Sequence, residues 1–453
     1  MFFAINRGVK RNIEKDLLRW KEKKSRLPLL LRGARQVGKS YVVEKFGKEH
    51  FSQIATINFE QNPEYKTCFK TLVPQEIVAA ISLIQKIPIE AGKTLLFLDE
   101  IQECPQAILA LRYFKEQLPE LHVIGAGSLL EFVLNDPEFR MPVGRVQFMY
   151  LRPLSFGEYL DATQNTRLRD YLHAVEVKDF MNEAVHLQLL KLVREYFALG
   201  GMPAVIAEYL ESKSLLEAQN LQTSILATYR RDFGKYAKRI SHELLESIFT
   251  KIPGLVGKWL KYATIDPGLR SEVIKTALHK LSDAGIILPI YATSGAGLPL
   301  ISHANEKKCK FLFLDVGLVK RACNLDLELL FQEDLLLIND GIMAEQFVGQ
   351  ELLASTGTDE INGLFSWVRE QHSSSAEIDF LIAVGSQIIP IEVKAGALGT
   401  LRSLKIFLSE KKCPLGVRIS ENPLSLREGI LSIPFYLIEE LPRLLPRPQI
   451  GDI

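Results

Sequence analysis

The chain has 453 residues, of which 47% are hydrophobic and 24% charged, and this composition excludes collagen, coiled coils and wholesale disorder. Its 55 Lys and Arg residues and 54 Asp and Glu residues give a formal charge of +1, so binding to a polyanion would need a local basic surface. No apolar run reaches the ~18 residues of a membrane span, and the five cysteines contain no C-x-x-C pair. We therefore expect a cytoplasmic protein of roughly three domains, without a membrane span, a zinc knuckle or a disulfide framework.

The N-terminal segment is rich in Lys and Arg and carries apolar residues at helical spacing between Arg7 and Arg26. We expect an amphipathic helix with a solvated charged face. From Leu27 onward, short apolar runs alternate with helical patterns, which is typical of an α/β domain with a mainly parallel sheet. The predicted strands are Leu29–Leu31, Ile54–Ile57, Leu95–Leu98 and Val123–Ile124.

A glycine-rich segment after the first predicted strand fits the pattern G-x-x-x-x-G-K-[ST] at every position. It consists of Gly33, Ala34, Arg35, Gln36, Val37, Gly38, Lys39 and Ser40. The glycines let the backbone aim its N–H groups at phosphate oxygens, Lys39 reaches the β- and γ-phosphates, and the Ser40 hydroxyl can ligate Mg²⁺. Tyr41 begins the helical stretch that follows and completes the predicted nucleotide-binding segment. ATP and Mg²⁺ are therefore the expected cofactors.

A hydrophobic strand that ends in two acids, Thr94 to Glu100, supplies the partner of this loop. In-line attack on a γ-phosphate needs a metal-facing aspartate and a water-orienting glutamate at such a strand end. We expect Asp99 to coordinate Mg²⁺, directly or through water, and Glu100 to position the attacking water. A strand ending in two acids is also common in solvated loops, and the preceding P-loop makes the combination more specific.

Two further polar residues are candidates for the same site. Ser128 follows a third predicted strand and is a candidate sensor of the γ-phosphate, although a helix N-cap explains a serine there equally well. Arg145 is a candidate source of positive charge for the transition state, within its own chain or from a neighbouring chain. The alternative for Arg145 is an ordinary surface ion pair. The sequence does not set the oligomeric state, which decides between the two routes.

The middle of the chain is mainly helical from Phe156 to Tyr236. Ser271 to Ala284 then predicts a helix with one apolar face, and Gly285 stands where a C-cap glycine belongs. Ile286 to Tyr291 and Lys310 to Leu314 follow as strands on either side of a flexible turn. Helix, strand, turn and strand is the order of a winged helix, and it is also the order of many other α+β connectors.

Two acids and a lysine near the C terminus form a second candidate site. If Gly385–Ser386 is a two-residue hairpin turn, residues pair outward from it and Asp379 lies opposite Glu392. Their carboxylates would share one face with Lys394 and could hold a divalent metal, an arrangement typical of metal-dependent phosphodiester hydrolysis. Glu345, on a preceding helical stretch, is a candidate third acid.

The alternative for this cluster is a charged hairpin face held by an ion pair between Glu377 and Lys394, with Asp379 and Glu392 solvated. Two carboxylates directly opposite each other destabilise such a face unless a cation compensates them. This argument favours a second Mg²⁺ or Mn²⁺ in the C-terminal region, with Glu345, Asp379 and Glu392 as its ligands.

Together these motifs resemble the bacterial and archaeal AAA-like P-loop ATPases fused to a C-terminal domain of unknown function 4143. The resemblance covers nearly the whole chain. The segments that carry it are Gly33–Ser40, Leu96–Gln102, Gly144–Val146, Leu151–Glu158, Gly200–Pro203, Phe313–Leu318 and Ile391–Gly396. One difference is Ser40, which stands where many relatives carry a threonine and is chemically equivalent for the metal.

The resemblance implies an α/β protein with an AAA-type core, a helical lid, a winged-helix segment and a restriction-endonuclease-like domain of the PD-(D/E)xK type. The expected parts are an N-terminal basic helix (1–26), the P-loop ATPase core (27–155), the helical lid (156–236), a winged-helix-like domain (237–325) and a nuclease-like domain (326–453). The resemblance puts Asp379, Glu392 and Lys394 on the nuclease-like motif and Glu345 on its helical acid.

Two functions are consistent with these features. The first is an ATPase coupled to nucleic-acid processing, in which the winged helix contacts DNA and the C-terminal domain binds or cuts it. The rival is a nucleotide-dependent switch or scaffold whose catalytically inactive nuclease fold mediates protein interactions, which the near-zero net charge favours. The length of the chain and the absence of an acceptor-pocket pattern disfavour a small-molecule kinase.

Overall fold

The computed structural model describes residues 9–135, 139, 144–179, 181–236, 241–325, 341–355, 363–369, 376–394 and 401–446. The first eight residues of the predicted basic helix, residues 326–340 of the predicted nuclease-like domain, and Ala395–Gly396 lie outside these ranges. Within them, no helix combines the length and the apolar character that a membrane crossing requires.

The N-terminal third alternates helices with short strands, as the apolar runs predict. Its helices are α1 (Ile13–Glu22), α2 (Lys39–His50), α3 (Pro74–Gln85), α4 (Pro105–Gln117) and α5 (Leu130–Leu134). Its strands are β1 (Leu29–Arg32), β2 (Gln53–Asn58), β3 (Thr94–Asp99), β4 (His122–Ala126) and β5 (Gln147–Tyr150). The five strands run parallel in the order β2-β3-β4-β1-β5, which confirms the predicted α/β core.

This parallel sheet is buried on both faces, which is why its strands are apolar at successive positions. Leu29 and Leu31 of β1 belong to the core that α1 and α2 share with the sheet. Leu30 points the other way and packs in the core that includes α3 and α4. Because β1 lies inside the sheet, the loop that follows it is held beside the carboxyl ends of neighbouring strands.

The middle of the chain is helical, as predicted, and ends in an antiparallel hairpin. The helices are α6 (Phe156–Ala162), α7 (Thr166–Ala174), α8 (Glu183–Leu199), α9 (Pro203–Ser212), α10 (Leu215–Tyr236), α11 (His242–Lys251), α12 (Tyr262–Ile265) and α13 (Ser271–Asp283). The hairpin consists of β6 (Ile287–Thr293) and β7 (Ala304–Phe313). After α13, Gly285 has a φ of +70°, and Ile286 N donates to Leu281 O at 3.0 Å, which confirms the predicted C-cap glycine.

The C-terminal part forms an eight-stranded mixed sheet together with that hairpin. Its helices are α14 (Val316–Ala322), α15 (Ile342–Ser355), α16 (Arg402–Lys411) and α17 (Leu441–Leu444). Its strands are β8 (Phe365–Val368), β9 (Glu377–Val384), β10 (Gln387–Val393), β11 (Gly416–Ser420), β12 (Ser425–Arg427) and β13 (Ile430–Pro434). The order is β12-β13-β11-β10-β9-β8-β6-β7, so the β6–β7 hairpin is continuous with the C-terminal sheet.

Two of the short motifs that carry the family resemblance pack against each other. Asp315 accepts hydrogen bonds from Gly201 N at 2.5 Å and from Leu318 N at 3.0 Å, so it caps α14 and ties it to the end of α8. A Cβ built on Gly200 would lie 2.1 Å from Asp315 Oδ1, and one on Gly317 would lie 2.4 Å from Leu199 O. The absence of a side chain at Gly200 and Gly317 therefore lets the end of α8 and the start of α14 pack closely.

Candidate functional site

The glycine-rich loop after β1 has the backbone geometry of an anion-binding turn. Gly33, Gln36 and Gly38 have φ angles of +140°, +66° and +95°. A Cβ on Gly33 would lie 2.2 Å from Leu151 O, so this position requires glycine. Because α2 begins immediately afterwards at Lys39, the loop and the first turn of a helix offer free backbone N–H groups to one ligand.

The remaining loop residues differ in burial. Ala34 and Val37 are buried, whereas Gln36 is exposed at the tip of the loop. Arg35 is half-buried and forms an ion pair with Asp232 of α10, and Tyr41 lies half-buried on the first turn of α2. The apolar positions thus anchor the loop while its tip faces outward.

Lys39 is buried behind the loop, with 7% of its surface exposed. Its ammonium donates to the carbonyl oxygens of Gly33 at 2.9 Å and Ala34 at 2.8 Å. Burial lowers the pKa of Lys39 to about 8, against the opposing effect of Glu100 and Asp99. Within the part of the chain that the structure describes, the ammonium thus donates to neutral carbonyls, and phosphate oxygens are stronger acceptors for it.

The hydroxyl of Ser40 and the carboxylate of Asp99 meet at the carboxyl end of β3. Ser40 Oγ donates to Asp99, with distances of 3.0 and 2.9 Å to the two carboxylate oxygens. Asn58, at the end of β2, donates to Asp99 Oδ2 at 2.9 Å. Burial, and then the charge of Glu100, raise the pKa of Asp99. An oxygen pair of this kind fits Mg²⁺ held with substrate phosphates, and Ser40 and Asp99 are the residues that would hold it.

Glu100 and Ser128 also lie together at this edge of the sheet. Glu100 has a left-handed backbone conformation, with φ +48°, and its Oε2 accepts from Gln102 Nε2 at 2.7 Å and from Ser128 Oγ at 3.4 Å. α5 begins at Leu130 and its N-cap is Leu129, so the N-cap explanation for Ser128 is wrong. Glu100, Ser128 and Gln102 form one polar group beside the Ser40–Asp99 pair.

Arg11 contacts the glycine-rich loop, which the sequence pattern did not indicate. It is 4% exposed, and its Nη1 donates to Val37 O at 3.1 Å, its Nη2 to Arg152 O at 2.7 Å, and its Nε to Glu158 Oε1 at 3.0 Å. In a trans peptide the C=O and the next N–H point in opposite directions. By holding Val37 O on its own side, Arg11 aims the N–H of Gly38 away from itself, as part of the loop's anion-binding face.

Arg145 lies away from the loop. It precedes β5, and Gln147 N bonds to Pro28 O, so Arg145 stands at the amino edge of the sheet, whereas the loop stands at the carboxyl edge. Its Nε pairs with Glu116 Oε1 at 3.1 Å, and about half of its side chain is exposed. The length of β5 therefore separates Arg145 from the loop of the same chain. The surface ion pair is the alternative that the structure contains, and action on a neighbouring chain stays a prediction.

The C-terminal hairpin has the predicted register. β9 and β10 pair outward from the turn, from Val384 with Gln387 to Phe380 with Ile391. Beyond this last pair, Asp379 Oδ2 accepts a hydrogen bond from Val393 N at 2.7 Å.

The charged side chains of this cluster have partners that the sequence did not indicate. Lys394 pairs with Glu392 Oε1 at 2.7 Å, whereas Glu377 accepts from Trp259 Nε1 at 2.9 Å, so the alternative Glu377–Lys394 pair is not formed. Glu345, the predicted third metal ligand, forms an ion pair with Lys310 of β7. Its carboxylate is therefore occupied by a cation of the protein.

Family models match three parts of the chain. Residues 25–160 match the family described as an AAA domain. Residues 190–329 match the domain of unknown function 8612, and residues 340–438 match the domain of unknown function 4143. No curated protein matches the chain.

Several solved structures resemble the chain at low identity. The Walker-type ATPase PABY2304 of Pyrococcus abyssi shows 16% identity and a TM-score of 0.44, covering 70% of this chain and 96% of that chain. The ORC2 protein of Aeropyrum pernix in its ADP form shows 12% identity and a TM-score of 0.30, covering 74% and 93%. A RuvB variant of Thermotoga maritima shows 17% identity and a TM-score of 0.29, covering 61% and 88%.

The first prediction concerns Lys39. We expect Lys39→Ala to reduce ATP turnover by ~100-fold or more, because the variant lacks the buried ammonium that meets the phosphates. Steady-state ATPase assays measure this effect, and circular dichroism checks the fold. Lys48→Ala is the matched control, since Lys48 lies on the same helix with 67% of its side chain exposed. Turnover retained in Lys39→Ala would refute the P-loop assignment.

A pH dependence follows from the pKa of about 8 for Lys39. The phosphates of ATP favour the charged ammonium. The affinity for ATP is therefore highest below this pKa and falls above it, by up to ~tenfold per pH unit. Binding at pH 9 should therefore take up a proton, which calorimetry in buffers of different ionisation enthalpy detects. In Lys39→Arg the group stays charged, so the pH dependence should flatten. An affinity that stays constant from pH 7 to 9.5 in the unmodified protein would contradict this account.

The third prediction concerns Arg11. Replacing it by Gln removes charge-assisted hydrogen bonds worth about 1.5–3 kcal/mol each, so we expect KM for ATP to rise ~10-fold or more. Arg19→Gln, on the helix α1 that begins two residues after Arg11, is 79% exposed at its side chain and should leave KM unchanged. If Arg11→Gln lowers only the melting temperature and leaves KM as it was, Arg11 supports the fold alone.

Proposed function

We propose that this AAA-type P-loop ATPase, which carries the domain of unknown function 4143 near its C terminus, uses Mg²⁺-dependent ATP binding and hydrolysis to change how its α11–β7 segment contacts DNA. The observation that carries the proposal is the contact between this segment and the nucleotide loop. A Cβ built on Gly285, at the end of α13, would lie 3.3 Å from Ala34 N. A change in the loop therefore acts directly on α13.

The surface of the same segment favours a polyanionic partner. Residues 242–313 contain nine Lys and Arg residues and six Asp and Glu residues, so this segment is more positive than the chain as a whole. Six of the cations are exposed, among them Lys258, Lys261, Arg270, Lys275 and Lys307. The backbone from Gly257 to Leu260 runs along β7, and Lys275 lies on α13 beside that strand. Together they form a local basic surface of the kind that phosphate contacts require.

Side chains from the helical segment offer a second link between the nucleotide and the rest of the chain. Asp232 and Tyr229 of α10 hold the guanidinium and the carbonyl oxygen of Arg35, the latter at 2.6 Å. A phosphate that draws the loop towards itself would change both contacts. The α10 helix is therefore the element through which the proposed lid would sense nucleotide.

A switch that acts on protein partners is the second candidate. It is favoured by exposed apolar residues on α3, where Leu83 is 80% exposed and Ile84 50% exposed. Adjacent exposed apolar side chains are typical of protein contact surfaces. On this alternative, nucleotide binding would change the presentation of a protein-binding surface, and DNA would not be bound.

Binding of a fluorescent DNA duplex at several salt concentrations tests the first candidate. We expect the affinity to fall as salt rises, and Lys275→Ala and Lys307→Ala each to weaken binding at all sequences and to reduce the logarithmic salt slope by ~0.9. Lys70→Ala, an exposed lysine of the ATPase core, is the matched control and should change neither quantity. Binding that is insensitive to salt and to both substitutions would refute the DNA proposal and favour the second candidate.

A further inference from the structure

A fully buried lysine of β7 lies at the centre of the C-terminal acidic cluster. The side chain of Lys310 is 0% exposed. Its ammonium forms an ion pair with Glu345 of α15 and lies 3.6 Å from Glu377 Oε1. The rings of Trp259 and Phe380 cover it, with centroids 5.8 and 5.4 Å from Nζ. Two carboxylates and two aromatic faces therefore take the place of the water molecules that would solvate an exposed ammonium.

The electrostatics of the cluster agree with this geometry. Burial disfavours the charged form of Lys310, but Glu345, Asp379 and Glu377 outweigh that effect and raise its pKa. Burial raises the pKa of Glu345, and the charge of Lys310 opposes that shift. The ammonium and the carboxylates therefore stabilise one another's charged forms inside the protein.

The acids also have other partners within the protein. Trp259 Nε1 donates to Glu377, Val393 N donates to Asp379, and Lys394 pairs with Glu392. Among these carboxylates, Glu392 has a buried oxygen, Oε2, that accepts no hydrogen bond from the residues that the structure describes. Among the residues that the structure describes, no group of three or more His, Cys, Asp or Glu side chains could hold a metal ion. The residues present therefore do not fit the divalent metal that the family resemblance implies.

We propose that Lys310 is the resident cation of this cluster, and that the C-terminal domain is joined to the β6–β7 hairpin by an internal ion-pair lock in place of a catalytic metal site. The ammonium supplies the positive charge that the acids need. It cannot activate water as a metal ion does, so a cluster closed in this way does not hydrolyse phosphodiesters.

The topology explains how the lysine reaches the acids. Lys310 belongs to β7, and β6 pairs with β7 on one side and with β8 on the other. The hairpin is therefore the continuation of the sheet that carries Asp379 and Glu392. A structural joint needs this continuity, because the buried ammonium is stable only while the hairpin is paired with the sheet.

Manganese binding to the full-length protein without nucleotide tests the proposal. We expect no stoichiometric Mn²⁺ binding at micromolar concentrations by electron paramagnetic resonance. Lys310→Met leaves the acids without their cation and should increase Mn²⁺ affinity by ~tenfold or more. Lys308→Met, a half-buried lysine of the same strand, is the matched control and should not change the affinity. Tight Mn²⁺ binding by the unmodified protein that is lost in Asp379→Asn or Glu392→Gln would overturn the proposal.

A second measurement keeps the proposal testable if Lys310→Met folds poorly. Urea unfolding of Lys310→Met, Glu345→Gln and the double variant forms a mutant cycle. We expect the double variant to unfold at a higher urea midpoint than Lys310→Met, because it removes the uncompensated carboxylate along with the lysine. Additive midpoint shifts would overturn the lock.

DNA nicking provides an independent readout. The unmodified protein should not nick supercoiled DNA with Mn²⁺ or Mg²⁺, and nicking that disappears in Asp379→Asn would contradict the proposal. Metal binding to the protein alone depends neither on ATP turnover nor on the salt-dependent binding of DNA. A failure here is therefore distinguishable from a failure of the proposed switch.

Discussion

The nucleotide loop depends on one buried contact, the hydrogen bond from Arg11 to the carbonyl oxygen of Val37. A glycine-rich turn is conformationally permissive, so its N–H groups converge on a phosphate only if the surrounding structure fixes each peptide plane. Arg11 fixes the plane between Val37 and Gly38, and each of its three nitrogens donates one hydrogen bond, to the loop, to Arg152 and to Glu158. The loop is thus preorganised by the segment that precedes β1, which reduces the entropy that ATP binding must overcome.

The same arginine joins the loop to the C-terminal part of the chain. Its partner Glu158 completes a capping box with Ser155 and accepts the N–H of Asn12 at 2.6 Å. Asn12 Nδ2 donates to Glu439 Oε1 at 2.9 Å, and Phe156 N donates to Glu351 of α15 at 3.0 Å. These contacts are buried or partly buried, where hydrogen bonds to charged groups are strong. A rearrangement of the loop therefore changes contacts with both the helical and the C-terminal parts.

Local patterns predicted the strands, the nucleotide loop and the β9–β10 register because each depends on residues close in sequence. The continuous apolar run of β1 and the C-cap at Gly285 are of this kind. Arg11 and Lys310 were not predicted because their partners are distant in sequence. The partners of the Arg11 side chain lie 26 to 147 positions away, and the acids that pair with Lys310 lie 35 or more positions away. In the sequence alone, a single cation in a basic or mixed segment is indistinguishable from a solvated surface residue. Asn58 was within reach, since a polar residue ending the strand beside β3 faces the same edge as Asp99.

The two buried lysines show how the same desolvation produces opposite chemistry. Burial lowers the pKa of Lys39, whose hydrogen-bond acceptors are the neutral carbonyls of Gly33 and Ala34. For Lys310 the carboxylates around it outweigh burial and raise the pKa. An ammonium held only by carbonyls gains free energy when an anionic ligand arrives, because the ligand supplies the missing charge. An ammonium already paired with carboxylates gains little from a new partner, so Lys39 favours ligand binding and Lys310 favours a closed joint.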